Sequence, residues 1–145
     1  MPGIVVGVDL SVRAHKALDW ALREAATRHT ALTVLTVIPA VASPWTGNPM
    51  AVPDADEAIR HARQAAEEAV AKSASNIAGP QPGPVSVTVL IGYPAQALID
   101  ASKDAELVVV GSRGGGGFAA LLLGSVSSQV AHHATCPVVI VPSGR

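Results

Sequence analysis

Short runs of aliphatic and β-branched residues alternate along the chain with longer segments in which apolar residues recur at three- and four-residue steps. The apolar runs cover residues 4–8, 32–38, 85–91, 107–111 and 138–141. Near-continuous apolar runs of this length are typical of strands that are buried on both faces of a parallel sheet. Ser86 and Thr88 interrupt the third run, so we expect this strand at an edge of the sheet.

The segments between these runs have helical periodicity. In the first, one apolar stripe is formed by Ala14, Ala17, Leu18, Ala21, Leu22 and Ala25. A long alanine-rich helix is predicted over residues 54–77, a short one from Tyr93-Pro94, and a last one over residues 125–134. The order β-α-β-α-β-α-β-α-β predicts an α/β fold with an open parallel five-stranded sheet, right-handed crossovers and helices on both faces. With 145 residues, the chain is expected to form a single domain, 1–145.

Residues 39–53, PAVASPWTGNPMAVP, interrupt this alternation. Their four prolines, one glycine and one asparagine predict neither helix nor strand. The segment leaves the carboxyl end of the second strand, which is the edge where ligands bind in open α/β sheets. Trp45 and Met50 would make it a lid over a bound base or a contact for a partner, and the alternative is a mobile surface loop.

A glycine-rich segment follows the fourth strand. Gly111, Gly114 and Gly124 precede Ser125, which opens the last predicted helix. Glycine lets the backbone approach a ligand closely, and the N–H groups at a helix N-terminus attract anions such as phosphate. Residues 107–145 contain no Asp or Glu, which also favours an anion. The alternative interpretation is a flexible connection in which Ser125 is only an N-cap.

The spacing Gly-x-x-Gly, nine residues, Gly-Ser resembles the ATP-binding class of the universal stress protein family. The resemblance covers nearly the whole chain and includes VVGVDLS near the start, LTVLTVIP at the second strand and CPVVIVP near the end. It implies a Rossmann-like sheet with strand order 3-2-1-4-5, ATP as the ligand, and a nucleotide-dependent regulator or sensor in a stress response. One departure is the four-glycine run 114–117, where many relatives carry a basic residue.

The candidate nucleotide-binding residues are Asp9, Val37, Gly111, Arg113, Gly114, Gly124 and Ser125. The resemblance implies the roles of five of them, while Asp9 and Arg113 are inferred from their position and charge. The main chain of Val37 would contact the adenine edge and Gly111 would adjoin the ribose. The remaining glycines, with Ser125, would hold the phosphates.

Two of these residues have alternative roles. Asp9, at the carboxyl end of the first strand, would accept hydrogen bonds from a ribose hydroxyl or an adenine amino group, or would instead cap the following helix. Arg113 would add a charge-assisted contact to a phosphate, or would remain a solvated surface residue. Asp9 is the only carboxylate predicted near the phosphates, so any Mg²⁺ would be held mainly through the phosphates themselves.

Other chemistry finds little support in the sequence. There is no Gly-Lys-Ser/Thr of a Walker-type loop, and a formal Gly-x-Gly-x-x-Ala match at residues 114–119 lies in the last βα unit instead of the first. His132 and His133 are adjacent on a helix, about 100° apart, and cannot share a metal. We expect Cys136 to be a small buried residue and not a nucleophile. The chain would be at most a slow ATPase.

Composition and the last strand bear on partners. With 10 basic and 11 acidic residues and no basic stripe, we expect no nucleic-acid partner. One cysteine excludes an intrachain disulfide, and no apolar stretch approaches the ~18 residues of a membrane span, so we expect a soluble cytoplasmic protein. At a sheet edge, the strand Val138, Val139, Ile140 and Val141 would pair in a homodimer, as the resemblance implies. The alternative is packing against the protein's own helices.

Three functions therefore remain open. The first is a binding module in which ATP occupancy sets the state of residues 39–53 or of the dimer, which an unknown protein partner reads. The second is a dimeric interaction protein with little nucleotide affinity. The third is an enzyme, either a slow ATPase or a nucleotidyl-transfer relative. The sequence does not separate ATP from other adenine nucleotides.

Overall fold

The computed structural model describes residues 3–9, 15–42, 49–50, 54–79, 81–112 and 124–142. Within these ranges, the five predicted strands alternate with four helices, and two further short strands lie between the second of these strands and the second helix. The elements are β1 (Ile4–Val8), α1 (His15–Arg28), β2 (Leu32–Pro39), β3 (Val41–Ala42), β4 (Pro49–Met50), α2 (Ala55–Ser75), β5 (Val85–Gly92), α3 (Pro94–Ser102), β6 (Leu107–Gly111), α4 (Ser125–His133) and β7 (Val138–Val141).

Five strands form one parallel sheet in the order β5-β2-β1-β6-β7. β1 lies at the centre, where Ile4 is opposite Leu32 of β2 on one side and opposite Leu107 of β6 on the other. Counted as the five predicted strands, the order is 3-2-1-4-5, so the expected α/β sheet and the edge position of β5 are confirmed. The direction of winding reverses between β1 and β6, and a crevice is expected at such a point.

The core consists of two apolar layers, one on each face of the sheet. Helices α1 and α2 cover the face that carries Ile4, Val6 and Val34, while α3 and α4 cover the face that carries Leu35 and Val108. The predicted stripe of α1 is buried at every position that the structure describes, namely Ala17, Leu18, Ala21, Leu22 and Ala25. In the described part of the chain, no helix is long and apolar enough to cross a membrane.

The close packing of α3 on β1 depends on a glycine. A Cβ atom at Gly7 would lie 2.9 Å from Cδ1 of Leu98, whose side chain is buried between the helix and the sheet. Because real Cβ contacts are not this short, any larger residue would push Leu98 aside. The glycine therefore lets α3 approach the centre of the sheet.

The predicted end of the second strand is wrong by one residue. β2 was expected to stop before Pro39, but it includes Pro39, which pairs with Gly92 of β5. Backbone groups alternate along a strand, and Ala31 accepts a hydrogen bond from Ile4 of β1, so odd-numbered residues of β2 face β1. An N–H at position 39 would therefore point toward β1. Because β1 has already ended at this level of the sheet, proline, which has no N–H, costs no hydrogen bond between strands here.

The prediction that residues 39–53 contain no strand is also wrong. β3 and β4 pair antiparallel within this segment, with Val41 opposite Met50 and Ala42 opposite Pro49. Pro49 is the first residue of β4, a position at which a strand tolerates proline. Trp45, the expected lid residue, lies outside the described residues.

Thr36 is a polar residue in the apolar layer beneath α1 and α2. It follows Leu32 and Val34 on the same face of β2, opposite Val8 of β1, and only 3% of it is exposed. Its hydroxyl oxygen is buried and has no hydrogen-bond partner. A buried hydroxyl without a partner lowers stability, because it loses its hydrogen bonds to water on folding.

We expect Thr36→Val to raise the free energy of unfolding by about 1 kcal/mol, since it removes this hydroxyl and keeps the branched shape. Ser102→Ala is the matched control. Ser102 is 1% exposed, but its hydroxyl bonds to the carbonyl of Ile99 and accepts the N–H of Thr135. Its loss should lower the free energy of unfolding by about 1–2 kcal/mol. Urea denaturation of both variants tests the pair, and a destabilised Thr36→Val would show that the hydroxyl is bonded in solution.

Candidate functional site

The carboxyl ends of β1, β2 and β6 meet at one edge of the sheet, and the sequence-predicted residues on these strands lie there. Asp9 directly follows the last residue of β1, is exposed and interacts with other groups of the protein. Gly111 is the last residue of β6 and pairs with Val141 of β7. Continuing the β1–β6 register past Val6 and Val109 sets Val8 opposite Gly111. Asp9 and Gly111 thus lie side by side at the point where the direction of winding reverses.

Val37 lies at the same edge, on β2. By the same alternation as at Pro39, the N–H and C=O groups of Val37 face β1. The last residue of β1 that pairs with β2 is Val8, which is opposite Thr36, so β1 ends beside Val37. The Val37 side chain packs with the α3 and α4 layer. Its main chain, and not its side chain, is therefore the part of this residue that faces the crevice.

The N-terminus of α4 is fastened to the end of β6. The carbonyl of Ser112, the residue after β6, accepts the N–H of Gly124, and at 3.0 Å it also accepts the hydroxyl of Ser127. The N–H of Ser112 donates to the carbonyl of Val141 at 2.9 Å. Residues 112 and 124 are therefore neighbours in space at this edge of the sheet.

Gly124 occupies the N-cap position of α4, and Ser125 is the first residue of the helix. The interpretation of Ser125 as an N-cap is therefore wrong, and among the described residues no side chain caps this helix end. The first N–H groups of a helix have no partner within the helix, and the helix dipole places a partial positive charge there. Ser125 is exposed beside these groups. This end of α4 is suited to an anion, and no Asp or Glu lies within residues 107–142 to oppose one.

Glycine is not required at residue 124 by the backbone itself. Its φ of −75° and ψ of 169° are extended angles that any residue adopts. If glycine is needed there, the reason is the space that a Cβ would occupy. Arg113 and Gly114, the other expected phosphate contacts, lie outside the described residues.

The described part of the chain contains no cluster of metal-ligating side chains, and its one cysteine lies away from the crevice. No group of three or more His, Cys, Asp or Glu side chains there is placed to hold a metal ion. Burial raises the pKa of Cys136, although a hydrogen bond with the backbone of Val108 opposes the shift. Cys136 packs with the α3 and α4 layer at the start of β7, far along the sheet from the crevice. Cys136 was expected to be buried, but it is only partly buried.

Sequence reasoning missed two residues that shape this edge, Ser112 and Ser127. Both are buried, with 7% and 2% of their surface exposed. The sequence could have indicated that Ser127 is buried, because it lies three residues before Val130 and so on the same inward face of α4. It is the polar residue that interrupts this apolar face. No comparable signal marks Ser112, whose role depends on its main chain.

Comparisons with known proteins agree on one family. The model of the Universal stress protein family matches residues 2–142. A universal stress protein of Mycolicibacterium smegmatis is 38% identical over 142 residues, which is 96% of this chain and 47% of that protein. The chain therefore spans about half the length of the curated relatives it matches.

Solved structures share the fold. Universal stress protein UspA from Lactobacillus plantarum is 25% identical with a TM-score of 0.75, over 97% of each chain. A universal stress protein in complex with cAMP is 26% identical with a TM-score of 0.62, over 99% of this chain and 98% of that one. The parallel sheet and its flanking helices are thus common to all three chains.

We expect Gly124→Ala to change the free energy of unfolding by less than about 1 kcal/mol, because the extended backbone at this position accepts alanine. The N–H that donates to Ser112 is retained in this variant. Thermal or urea unfolding measures the change. A loss well above 1 kcal/mol would show that the space at residue 124 is already filled by the protein itself.

Proposed function

The chain belongs to the universal stress protein family, and on this premise we propose that it binds an adenine nucleotide, ATP in the first instance, and acts as a nucleotide-dependent regulator in a stress response. The observation that carries the proposal is the N-terminus of α4, which no side chain of the described residues caps and which is bonded to the end of β6 beside the end of β1. The structural relative in complex with cAMP, at 26% identity, supports an adenine nucleotide as the ligand class.

In the proposed complex, the nucleotide lies across the crevice with its base toward β2. The main chain of Val37 contacts the adenine edge, and Asp9 accepts hydrogen bonds from a ribose hydroxyl or from the adenine amino group. Gly111 adjoins the ribose. This order follows the sheet, because β1 lies between β2 and β6 and the phosphates then extend toward α4.

The phosphates are held by the loop and by the start of α4. Ser125 supplies its N–H and its hydroxyl at the positive end of the helix dipole, and Gly124, whose own N–H is bonded to Ser112, has no side chain to hinder the approach of a phosphate. Gly114 allows the loop backbone to approach, and Arg113 adds a charge-assisted contact. Mg²⁺, when present, is held through the phosphates, and the whole of residues 1–145 serves as one nucleotide-binding domain.

We infer binding, and not efficient turnover, as the role of this site. Residues 107–131, which contain the proposed phosphate contacts, include no Asp, Glu or His that would act as a general base. The nucleotide would then act by its occupancy, which favours one state of residues 39–53 or of an assembly over another. A protein partner would read that state.

Homodimer formation through β7 is part of the proposal. The two edge strands of the sheet, β5 and β7, differ in the side chains that lie beside their outward backbone groups. On β5, the Arg63 side chain donates to the outward carbonyl of Val87 at 2.7 Å, and a charged group at this point hinders pairing with another strand. On β7, the residues Val138, Val139, Ile140 and Val141 are all aliphatic and half-buried. A second copy pairing with β7 would cover this edge.

We expect Gly114→Val and Ser125→Ala each to weaken ATP binding about tenfold or more, because one blocks backbone approach and the other removes a hydroxyl donor to a charged group. Ser128→Ala, in the same helix and three residues further on, is the matched control and should bind ATP as the unmodified protein does. Titration calorimetry with Mg²⁺ and again with EDTA measures all four proteins.

Two results would count against this site. If the unmodified protein produces no saturable heat up to millimolar ATP, the alternative of a dimeric interaction protein is favoured. If ATP binds but neither variant changes the affinity, the nucleotide occupies another part of the molecule. Lower affinity in EDTA would support a metal ion held through the phosphates.

We expect Ile140→Pro to raise the dissociation constant of the dimer about tenfold or more. Pro137 and Val141 bond to β6, so by alternation the N–H of Ile140 faces away from the sheet, and proline removes it from any pairing with a second copy. Ile91→Pro is the control on β5, where Gly92 bonds to Ala40 and the N–H of Ile91 likewise faces outward. Sedimentation velocity at several concentrations measures both. A dimer weakened only by Ile91→Pro would place the interface on the other edge.

A further inference from the structure

Ser127 is a buried hydroxyl at the start of α4 that touches both ends of the loop. It is 2% exposed, and its Oγ lies 3.0 Å from the carbonyl oxygen of Ser112 and 3.1 Å from that of Gly124. Ser112 is the last described residue before the loop of residues 113–123, and Gly124 is the first described residue after it. A serine hydroxyl carries one proton, so the two contacts form a bifurcated hydrogen bond.

The two carbonyls do not depend on Ser127 alone. Ser112 also accepts the N–H of Gly124, and Gly124 also accepts the N–H of Ser128 at 3.0 Å. Removing the Ser127 hydroxyl therefore leaves both carbonyls with a partner. What is lost is the side-chain link that sets the distance and rotation of α4 relative to the end of β6.

This link lies behind the proposed phosphate contacts and not among them. The hydroxyl of Ser127 points at the main chain of β6 and is closed to solvent, whereas Ser125 is exposed two residues earlier on the helix. A shift of α4 by a fraction of an ångström would move the N–H groups of its first turn together. Hydrogen bonds to phosphate weaken steeply with distance and angle, so their joint alignment depends on how α4 is held.

We propose that Ser127 is a positioning residue that sets the affinity for the phosphate groups of the nucleotide without contacting the nucleotide. The inference rests on the proposed function, and it adds to that function a residue that acts on one part of the ligand only. Adenine and ribose contacts, which lie toward β1 and β2, are independent of Ser127.

The experiment compares ATP with adenosine, which lacks phosphates, by titration calorimetry. Ser127→Ala should weaken ATP binding about five- to tenfold and leave adenosine binding within about twofold of the unmodified protein. Ser127→Thr retains the hydroxyl and should restore most of the ATP affinity. Ser127→Cys retains the size but donates weakly, and should behave like Ser127→Ala.

Ser102→Ala is the control for general destabilisation. Ser102 is equally buried and its hydroxyl also bonds to main-chain groups, but on α3 and at the loop before β7. This variant should lower the free energy of unfolding without changing the ratio of ATP to adenosine affinity. A change in that ratio for Ser127→Ala alone separates positioning from loss of stability.

Amide hydrogen exchange of the ligand-free protein tests the link without any nucleotide. Ser127→Ala should accelerate exchange of the Gly124 amide, which donates to Ser112, several-fold more than exchange of the Ala134 amide at the other end of α4. Equal rates at Gly124 in both proteins would overturn the positioning role whether or not ATP binds.

These experiments distinguish a failure of the proposed nucleotide-binding function from a failure of the positioning role of Ser127. No ATP binding by the unmodified protein, with faster exchange in Ser127→Ala, overturns the proposed function and keeps the structural link. ATP binding that Ser127→Ala leaves unchanged, or weakens no more than adenosine binding, overturns the positioning proposal and keeps the proposed function.

Discussion

The carbonyl oxygen of Ser112 determines where α4 begins relative to the sheet. Its two lone pairs accept the N–H of Gly124 and the hydroxyl of Ser127, while the N–H of the same residue bonds to Val141. Through the main chain of this one residue, β6, β7 and α4 are tied together at the edge that carries Asp9 and Gly111. The crevice between β1 and β6 owes its shape on the α4 side to this arrangement.

Much of the fold follows from the spacing of apolar residues alone. Near-continuous runs such as residues 107–111 have no polar face, and only a parallel sheet with helices on both sides buries them fully. Strand order does not follow from periodicity, because each strand is apolar enough to occupy the centre. It came from the resemblance to a known family, and the structure confirms it. The positions of Asp9, Val37, Gly111 and Gly124 at one edge then follow from the parallel arrangement.

The features that were missed depend on direction, which a pattern of residue types does not record. A proline ends a strand only where a neighbouring strand would accept the missing N–H. At Pro39 this N–H would point toward β1, which has already ended, so β2 continues through the proline. In the same way, residue type alone does not distinguish Ser127 from Ser125 or Ser128. Only the rotation of α4 decides that Ser127 turns inward, in phase with Val130, while Ser125 is exposed.

The residues on either side of the segment 113–123 are bonded directly to each other. The hydrogen bonds between residues 112, 124 and 127 close the segment 113–123 before any of its own side chains contributes. Doubling the length of such a closed loop costs only about 0.6 kcal/mol in chain entropy. The bonds that hold the start of α4 thus involve no side chain of residues 113–123, and we expect substitutions in that segment to leave these bonds in place.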